Sequence, residues 1–237
     1  DIIVNRDFIM SDNYDVLDNY DAVIKRINAA CLKAGRSPEE VKILTVTKYA
    51  RPQDILTLLS NRDIFAAGES RLQDALEKWG RPPLNVFSPK KFFIGRLQSN
   101  KIKKIAENFD VIASLCEAGH AARIDTAAAE LGRKAQCLLQ LKLTDKQAQS
   151  GLPPAEAEGF IKTVRADFKN ISLQGLMAIA PETTEAAVLR PLFKEVKKLF
   201  DLNFERGAYL SLGMSGDFEI AVEEGSNLPR IGGAIFK

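Results

Sequence analysis

Apolar and polar positions along the 237-residue chain switch repeatedly between helical and strand periods. Val16, Tyr20, Val23, Ile24, Ile27 and Cys31 recur at helical spacing, and Gly35 follows as a helix stop. Ser37-Pro38-Glu39-Glu40 reads as a capping box with proline at the first helical position. The run 43–48 (ILTVTK) is short, β-branched and bounded by Arg51-Pro52, which suits a buried strand. The same alternation then repeats. Helix-like 54–59 precedes strand-like 64–68, and a stripe of Leu72, Ala75, Leu76 and Trp79, closed by Gly80, precedes strand-like 92–95. Ile102, Ile105, Ala106 and Phe109 lead to a strand over 111–115, and an alanine-rich helix ending at Gly132 leads to a strand over 135–143. After a polar loop at 144–154 come a helix marked by Phe160, Ile161, Val164 and Phe168 and a strand over 173–179. A helix over 189–200, a strand over 208–213, a short helix over 218–224 and a strand over 228–236 complete the chain.

Eight strands alternating with helices, preceded by one further helix, predict a single (β/α)8 TIM barrel with an extra N-terminal helix. No GxGxxG or Walker loop follows the first strand, as an open doubly wound sheet would require. No Gly-, Ser- or Pro-rich linker interrupts the pattern, so residues 1–237 read as one domain. Met10 is a candidate start, with residues 1–9 a leader or disordered segment.

Composition narrows the function. Hydrophobic residues make up 46% of the chain, enough to fill a core. The net charge of +2 exerts no pull on nucleic acid or anionic lipid. No apolar run approaches the roughly 20 residues of a membrane helix, and the N-terminus lacks a secretory pattern. No nucleic-acid partner and no membrane are therefore expected. The cysteines Cys31, Cys116 and Cys137 are far apart and form no CxxC, which excludes a disulfide framework and fits a reducing, cytoplasmic location. The single histidine, His120, lies in a surface-helix pattern and makes no metal cluster alone. Lys90, Lys91, Arg96, Lys101, Lys103 and Lys104 follow one another without an acidic residue, a pattern that reads first as a solvated helix face and second as an anion-attracting patch.

In a barrel of this kind the active site lies at the C-terminal ends of the strands. Lys48 ends the first strand on the same face as Leu44 and Val46, which would point inward. A lysine at an apolar barrel mouth gives up its proton more readily, as Schiff-base formation with an aldehyde requires; the alternative is a side chain that reaches to solvent. After strand seven comes Gly213-Met214-Ser215-Gly216-Asp217, and after Arg230 come Ile231-Gly232-Gly233. Loops in those two places, opening on a short helix, form the usual phosphate site of such barrels, and Ser215 adds a hydroxyl donor. A phosphate cradle facing an imine-forming lysine suggests pyridoxal 5′-phosphate (PLP). Arg230 could then donate to a neutral pyridine nitrogen, making a weak electron sink, or it could be a surface ion pair at the rim.

These residues fall in six ordered segments: VTKYARP around Lys48, AGESRLQD from Ala67, FFIGRLQSNK from Phe92, GLMAI from Gly175, LSLGMSGDFEIAVEEGSN from Leu210 and RIGGAIF from Arg230. With them the chain resembles the pyridoxal phosphate homeostasis protein family, which shares its barrel with the N-terminal domain of alanine racemase. The resemblance implies a PLP fold type III barrel without the C-terminal β-domain, PLP as cofactor and Lys48 as its aldimine lysine. It implies that Ser215, Gly216, Gly232 and Gly233 hold the phosphate, with Met214 and Ser211 as further cofactor-binding positions, and that Arg230 faces the pyridine nitrogen. Met177 and Asn100 would line or border the pocket. It further implies a monomer that buffers PLP or delivers it to PLP-dependent apoenzymes, with little or no catalysis. Two enzymatic readings stand beside it. An amino-acid racemase or lyase would need a second base, for which Tyr14, Tyr20, Tyr49 and Tyr209 offer no obvious candidate, Tyr49 being expected on the far face of its strand. A cofactor-free Schiff-base aldolase would use Glu69, closing strand two, as its acid/base. The chain departs from the family pattern at Ser70-Arg71, at Lys91, at Gln140-Leu141-Lys142, at Asn227 and at Lys237.

Overall fold

The computed structural model describes residues 14–144 and 149–237; the expected leader and start at 1–10 lie outside them. Helix α1 (Tyr14–Lys33) buries Val16, Tyr20, Val23, Ile27 and Cys31 as its periodicity marks, and Ala30 besides, while the marked Ile24 is half-buried. It ends where Gly35 takes a φ of +67° and Arg36 N–H returns to the Cys31 carbonyl at 2.9 Å. The Ser37 hydroxyl then accepts from Glu39 N–H and opens a 3₁₀ turn, Pro38–Glu40.

The strands are β1 (Leu44–Val46), β2 (Ala66–Glu69), β3 (Lys90–Phe93), β4 (Val111–Leu115), β5 (Ala135–Lys142), β6 (Ile171–Ile179), β7 (Tyr209–Ser211) and β8 (Arg230–Ile231). Between them run α2 (Pro52–Asn61), α3 (Leu72–Gly80), α4 (Ile102–Asn108), α5 (Ala118–Glu130), α6 (Pro154–Asp167), α7 (Ala186–Asn203) and α8 (Phe218–Glu223). Every strand pair is parallel, neighbours follow chain order, and β8 pairs with β1. The last seam, between β7 and β8, has no ladder. Asn227 and Leu228 N–H both donate to the Leu210 carbonyl there, at 3.0 and 3.2 Å, and Arg230 N–H donates to Gly213 at 3.0 Å. The (β/α)8 barrel read from the sequence is thus present and nearly closed.

Two boundaries differ from the sequence reading. The eighth strand is two residues long rather than 228–236, because Gly232 leaves the ladder and its carbonyl accepts from Ile235 and Phe236 N–H in a tight turn. The first strand stops at Val46, before Lys48. The extra helix also has a structural place. No described helix follows β8, and α1 packs against both α8 and α2, filling the gap in the outer ring. Arg26 stacks on Phe218, and Asn19 donates to the Ile235 carbonyl.

Inside the barrel Leu44, Ala66, Phe92, Val111, Ala113, Leu138, Met177 and Leu228 pack as one cluster, closing its centre. Ile43, Thr45 and Thr47 alternate with that inner face and meet the helices. The basic stretch at 90–104 does not form one patch. Lys90 turns inside toward the N-terminal end and donates to Gln136 Oε1 and the Tyr209 hydroxyl, while Lys103 pairs with Glu130.

Candidate functional site

At the C-terminal ends of β1, β7 and β8 the barrel opens into a cleft of about 360 Å³. Val46, Lys48, Tyr49, Ile94, Met214, Ser215, Gly216, Arg230, Gly232, Gly233 and Phe236 line it, together with Ala50. Seven expected site residues, Lys48, Met214, Ser215, Gly216, Arg230, Gly232 and Gly233, are therefore brought together. Three are not at the lining. Ser211 is fully buried beneath it, donating to the Leu228 carbonyl at 2.8 Å and accepting from Arg230 at 3.1 Å. Met177 belongs to the inner cluster, and Asn100 is exposed on a 3₁₀ turn, Ser99–Lys101.

Lys48 occupies a corner. Ala50 N–H donates to the Thr47 carbonyl at 3.1 Å, closing a turn with Lys48 and Tyr49 at its centre. The amine carries no hydrogen bond or ion pair among the described residues; its nearest characterised neighbour is the Tyr49 ring, 5.1 Å from Nζ to centroid. Leaving the strand also changes the expectation for Tyr49. Strand alternation would send it to the far face, but on the turn it lies at the cleft mouth, with Arg71 over the same ring. Tyr49, Ile94 and Phe236 are lining residues that periodicity does not reveal, because they stand on loops.

Across the cleft the 213–217 loop is held by its own acid. Asp217 Oδ1 accepts from Met214 N–H at 2.5 Å, and Asp217 N–H returns to the Met214 carbonyl. Burial pushes the Asp217 carboxyl upward, opposed by that amide bond and by the Arg230 charge. The loop leaves Ser215 and Gly216 N–H without a partner among the described residues, and the neighbouring turn does the same for Gly232 and Gly233. Ser215 Oγ ties the two loops by accepting from Ala234 N–H at 3.1 Å, which keeps its own hydrogen free to donate. Because α8 is only six residues long, the anion-binding capacity rests on these loop donors rather than on a helix terminus.

Close packing fixes Gly213 as a glycine. A Cβ on Gly213, at φ +86°, would lie 2.6 Å from Ala221 Cβ and 2.8 Å from Phe218 Cα. Gly213→Ala is expected to destabilise the protein by about 1–3 kcal/mol, read by urea unfolding, through strain and overpacking. An unchanged midpoint would show that the loop is not held as described.

Arg230 is 5% exposed, and no carboxylate among the described residues pairs with it directly. Nη1 donates to the Ser211 carbonyl at 2.7 Å and Nη2 to Ala178 at 2.9 Å, which pins the guanidinium across the ends of β6 and β7. This overturns the rim ion pair as its role. Desolvation lowers its pKa to about 10 against the pull of Asp217, and Nε has no partner among the described residues. Glu69 does not face the cleft. Its Oε1 accepts from Thr47 Oγ1, Lys78 and Trp79 in the layer between strands and helices, so the aldolase reading loses its acid/base. His120 sits on α5 beside Glu117, away from the lining, and among the described residues no group of His, Cys, Asp and Glu is arranged to hold a metal.

The family pattern described as alanine racemase, N-terminal domain, matches residues 19–237. The pyridoxal phosphate homeostasis protein of Escherichia coli K12 is 33% identical over 227 residues, covering 94% of this chain and 96% of its own length. This chain belongs to that family. Solved structures of the same fold resemble it over most of its length. A crystal structure from Bifidobacterium adolescentis has a TM-score of 0.84 at 32% identity, covering 94% of each chain. The PipY protein of Synechococcus elongatus, solved with PLP bound, has a TM-score of 0.77 at 29% identity, covering 91% of this chain and all of its own.

Proposed function

We propose that this protein binds PLP in the cleft, holds it as a Schiff base on Lys48, and serves as a reversible store and source of the cofactor. The observation that carries the reading is one cleft with an unpartnered lysine amine on one wall and unpaired loop N–H groups on the other. The donors present fit the group. Ser215, Gly216, Gly232 and Gly233 offer N–H bonds and Ser215 a hydroxyl to a phosphate, and Arg230 Nε can donate to a pyridine nitrogen. Bound PLP supplies an aldehyde that condenses with amines. Lys48 would be the amine to hold that aldehyde: unprotonated, it would bond to the carbonyl carbon, and the aldehyde oxygen would leave as water with the two amine hydrogens. Arginine facing the ring nitrogen would not leave it protonated, so the site would be a weak electron sink, which suits racemase-like chemistry or simple holding of the cofactor and does not separate the two. A relative named for PLP homeostasis and another solved with PLP support the same reading. The absence of a second base placed opposite Lys48 among the described lining residues favours a carrier over a racemase; Tyr49 adjoins the lysine on the same turn.

The test is transfer. PLP-loaded protein mixed with the apo form of a PLP-dependent enzyme is expected to restore that enzyme's activity, and L-alanine incubated with it should racemise no faster than with free PLP. Racemisation well above that background would replace the carrier by an enzyme. Ser215→Ala is expected to weaken PLP binding by about 10- to 100-fold, measured by titration, since it removes one hydrogen bond to a charged group, worth roughly 1.5–3 kcal/mol. Unchanged affinity would remove Ser215 from the phosphate site.

A further inference from the structure

Lys78 and Glu69 form an ion pair that is nearly buried, at 10% and 0% side-chain exposure. Buried pairs are weak sources of stability, because desolvating two charges offsets most of their attraction. This pair carries a further cost: among the described residues Glu69 Oε2 is buried without a partner, while Oε1 takes every bond the carboxylate makes there. What the arrangement does achieve is local. Glu69 Oε1 accepts from Thr47 Oγ1 at 2.7 Å, and Lys78 Nζ donates to the Thr47 carbonyl at 2.6 Å as well as to Glu69 at 2.9 Å. Trp79 Nε1 adds a bond to the same oxygen at 3.1 Å. Thr47 is thus gripped by its side chain and its carbonyl at once. That carbonyl also accepts Ala50 N–H and starts the turn whose first corner is Lys48.

We propose that the Lys78–Glu69 pair is a positioning device for Lys48, fixing the peptide plane between Thr47 and Lys48 so that the amine is aimed into the cleft. The inference rests on the reading of Lys48 as the imine-forming residue. Neither side chain lines the cleft, so both act through Thr47 and touch no cofactor atom. Their effect should fall on imine formation, where an angle of approach is required, and spare the noncovalent hold on the phosphate, which lies on the loops after β7 and β8.

The experiment separates these two. Lys78→Met/Glu69→Gln removes the pair without stranding a buried charge, Thr47→Val removes only the hydroxyl, and Lys78→Arg keeps a donor. For each folded variant the rate of visible imine formation with PLP is followed by stopped flow. Affinity for pyridoxine 5′-phosphate, which carries an alcohol in place of the aldehyde, is measured by calorimetry. The double variant is expected to form imine about tenfold more slowly, a modest misplacement of one reacting group, with pyridoxine 5′-phosphate affinity kept within about twofold. Thr47→Val should move the same way by a smaller factor, and Lys78→Arg should recover most of the rate. An undiminished rate in the double variant, or equal losses for both ligands, would overturn the positioning role. If the unaltered protein forms no borohydride-trapped adduct at all, the reading of Lys48 falls and this inference with it.

Discussion

Lys48→Ala is expected to abolish the visible imine band that PLP produces with the unaltered protein, and to abolish trapping by borohydride. Among the described residues Lys48 is the only lysine that lines the cleft, and its amine is engaged with no acid there. The substitution removes a half-buried side chain that makes no hydrogen bond or ion pair among the described residues, so the fold should survive with a change in stability within about 0.5 kcal/mol. The donors proposed for the phosphate lie on other loops, so pyridoxine 5′-phosphate affinity should stay within roughly twofold. A ligand that binds only the folded state stabilises it by about 2.7 kcal/mol at a hundred times its Kd. Pyridoxine 5′-phosphate should therefore still raise the melting temperature of Lys48→Ala, whereas PLP should lose the covalent share of its effect. A full chromophore in the alanine variant would place the imine elsewhere.

Arg230→Leu should be the costliest single change in the site, because it strikes the fold and the ligand together. The guanidinium holds the Ser211 and Ala178 carbonyls, and it lies at the seam where β7 and β8 lack a ladder. Leucine leaves those buried acceptors unpaired, which costs about 2–4 kcal/mol in urea unfolding. Asp217, whose carboxyl burial already pushes upward, loses the positive charge that opposes that shift. Disturbing it loosens the Met214 amide bond that shapes the phosphate loop. PLP affinity should fall with stability. Arg230→Lys keeps the charge, but a single ammonium cannot reproduce the planar fork that reaches two strands, so it should recover little of either. Full stability in Arg230→Leu would mean that the seam is held without the guanidinium, by the backbone bonds at Leu210 and Gly213 and the side-chain bonds of Asn227 and Ser211.

Much of this was legible because barrel strands announce themselves. The run 111–115 is a strand as read, fully buried on both faces, and the alternation of Leu44 with Thr45 places one on the barrel axis and the other under the helices. Gly213, Ser215, Gly232 and Gly233 could be read as a phosphate cradle because loops seven and eight are where this fold binds anions. Residues whose roles depend on leaving regular structure were harder. Extending β8 through 236 misses the turn at Gly232, and extending β1 to Lys48 misdirects Tyr49. Arg230 and Glu69 show the remaining gap. Alternation with the inward Ala66 and Gly68 already turns Glu69 toward the helices, but no local pattern says that Lys78, on the far part of α3, reaches it. Departures from the family pattern have local compensations that only the folded chain reveals. Asn227 uses both amide atoms to bond Leu210 N–H and the Ala208 carbonyl across the seam, and Arg71 stacks on Tyr49 at the mouth of the cleft.

Reduction of the PLP-loaded protein with borohydride, followed by proteolysis and mass spectrometry, locates the bound vitamer on the chain directly. The expected spectrum has one phosphopyridoxyl-bearing peptide, with the added mass on Lys48 at stoichiometric yield. An adduct spread over surface lysines, or none at all, would overturn the assignment of the cleft as a PLP site.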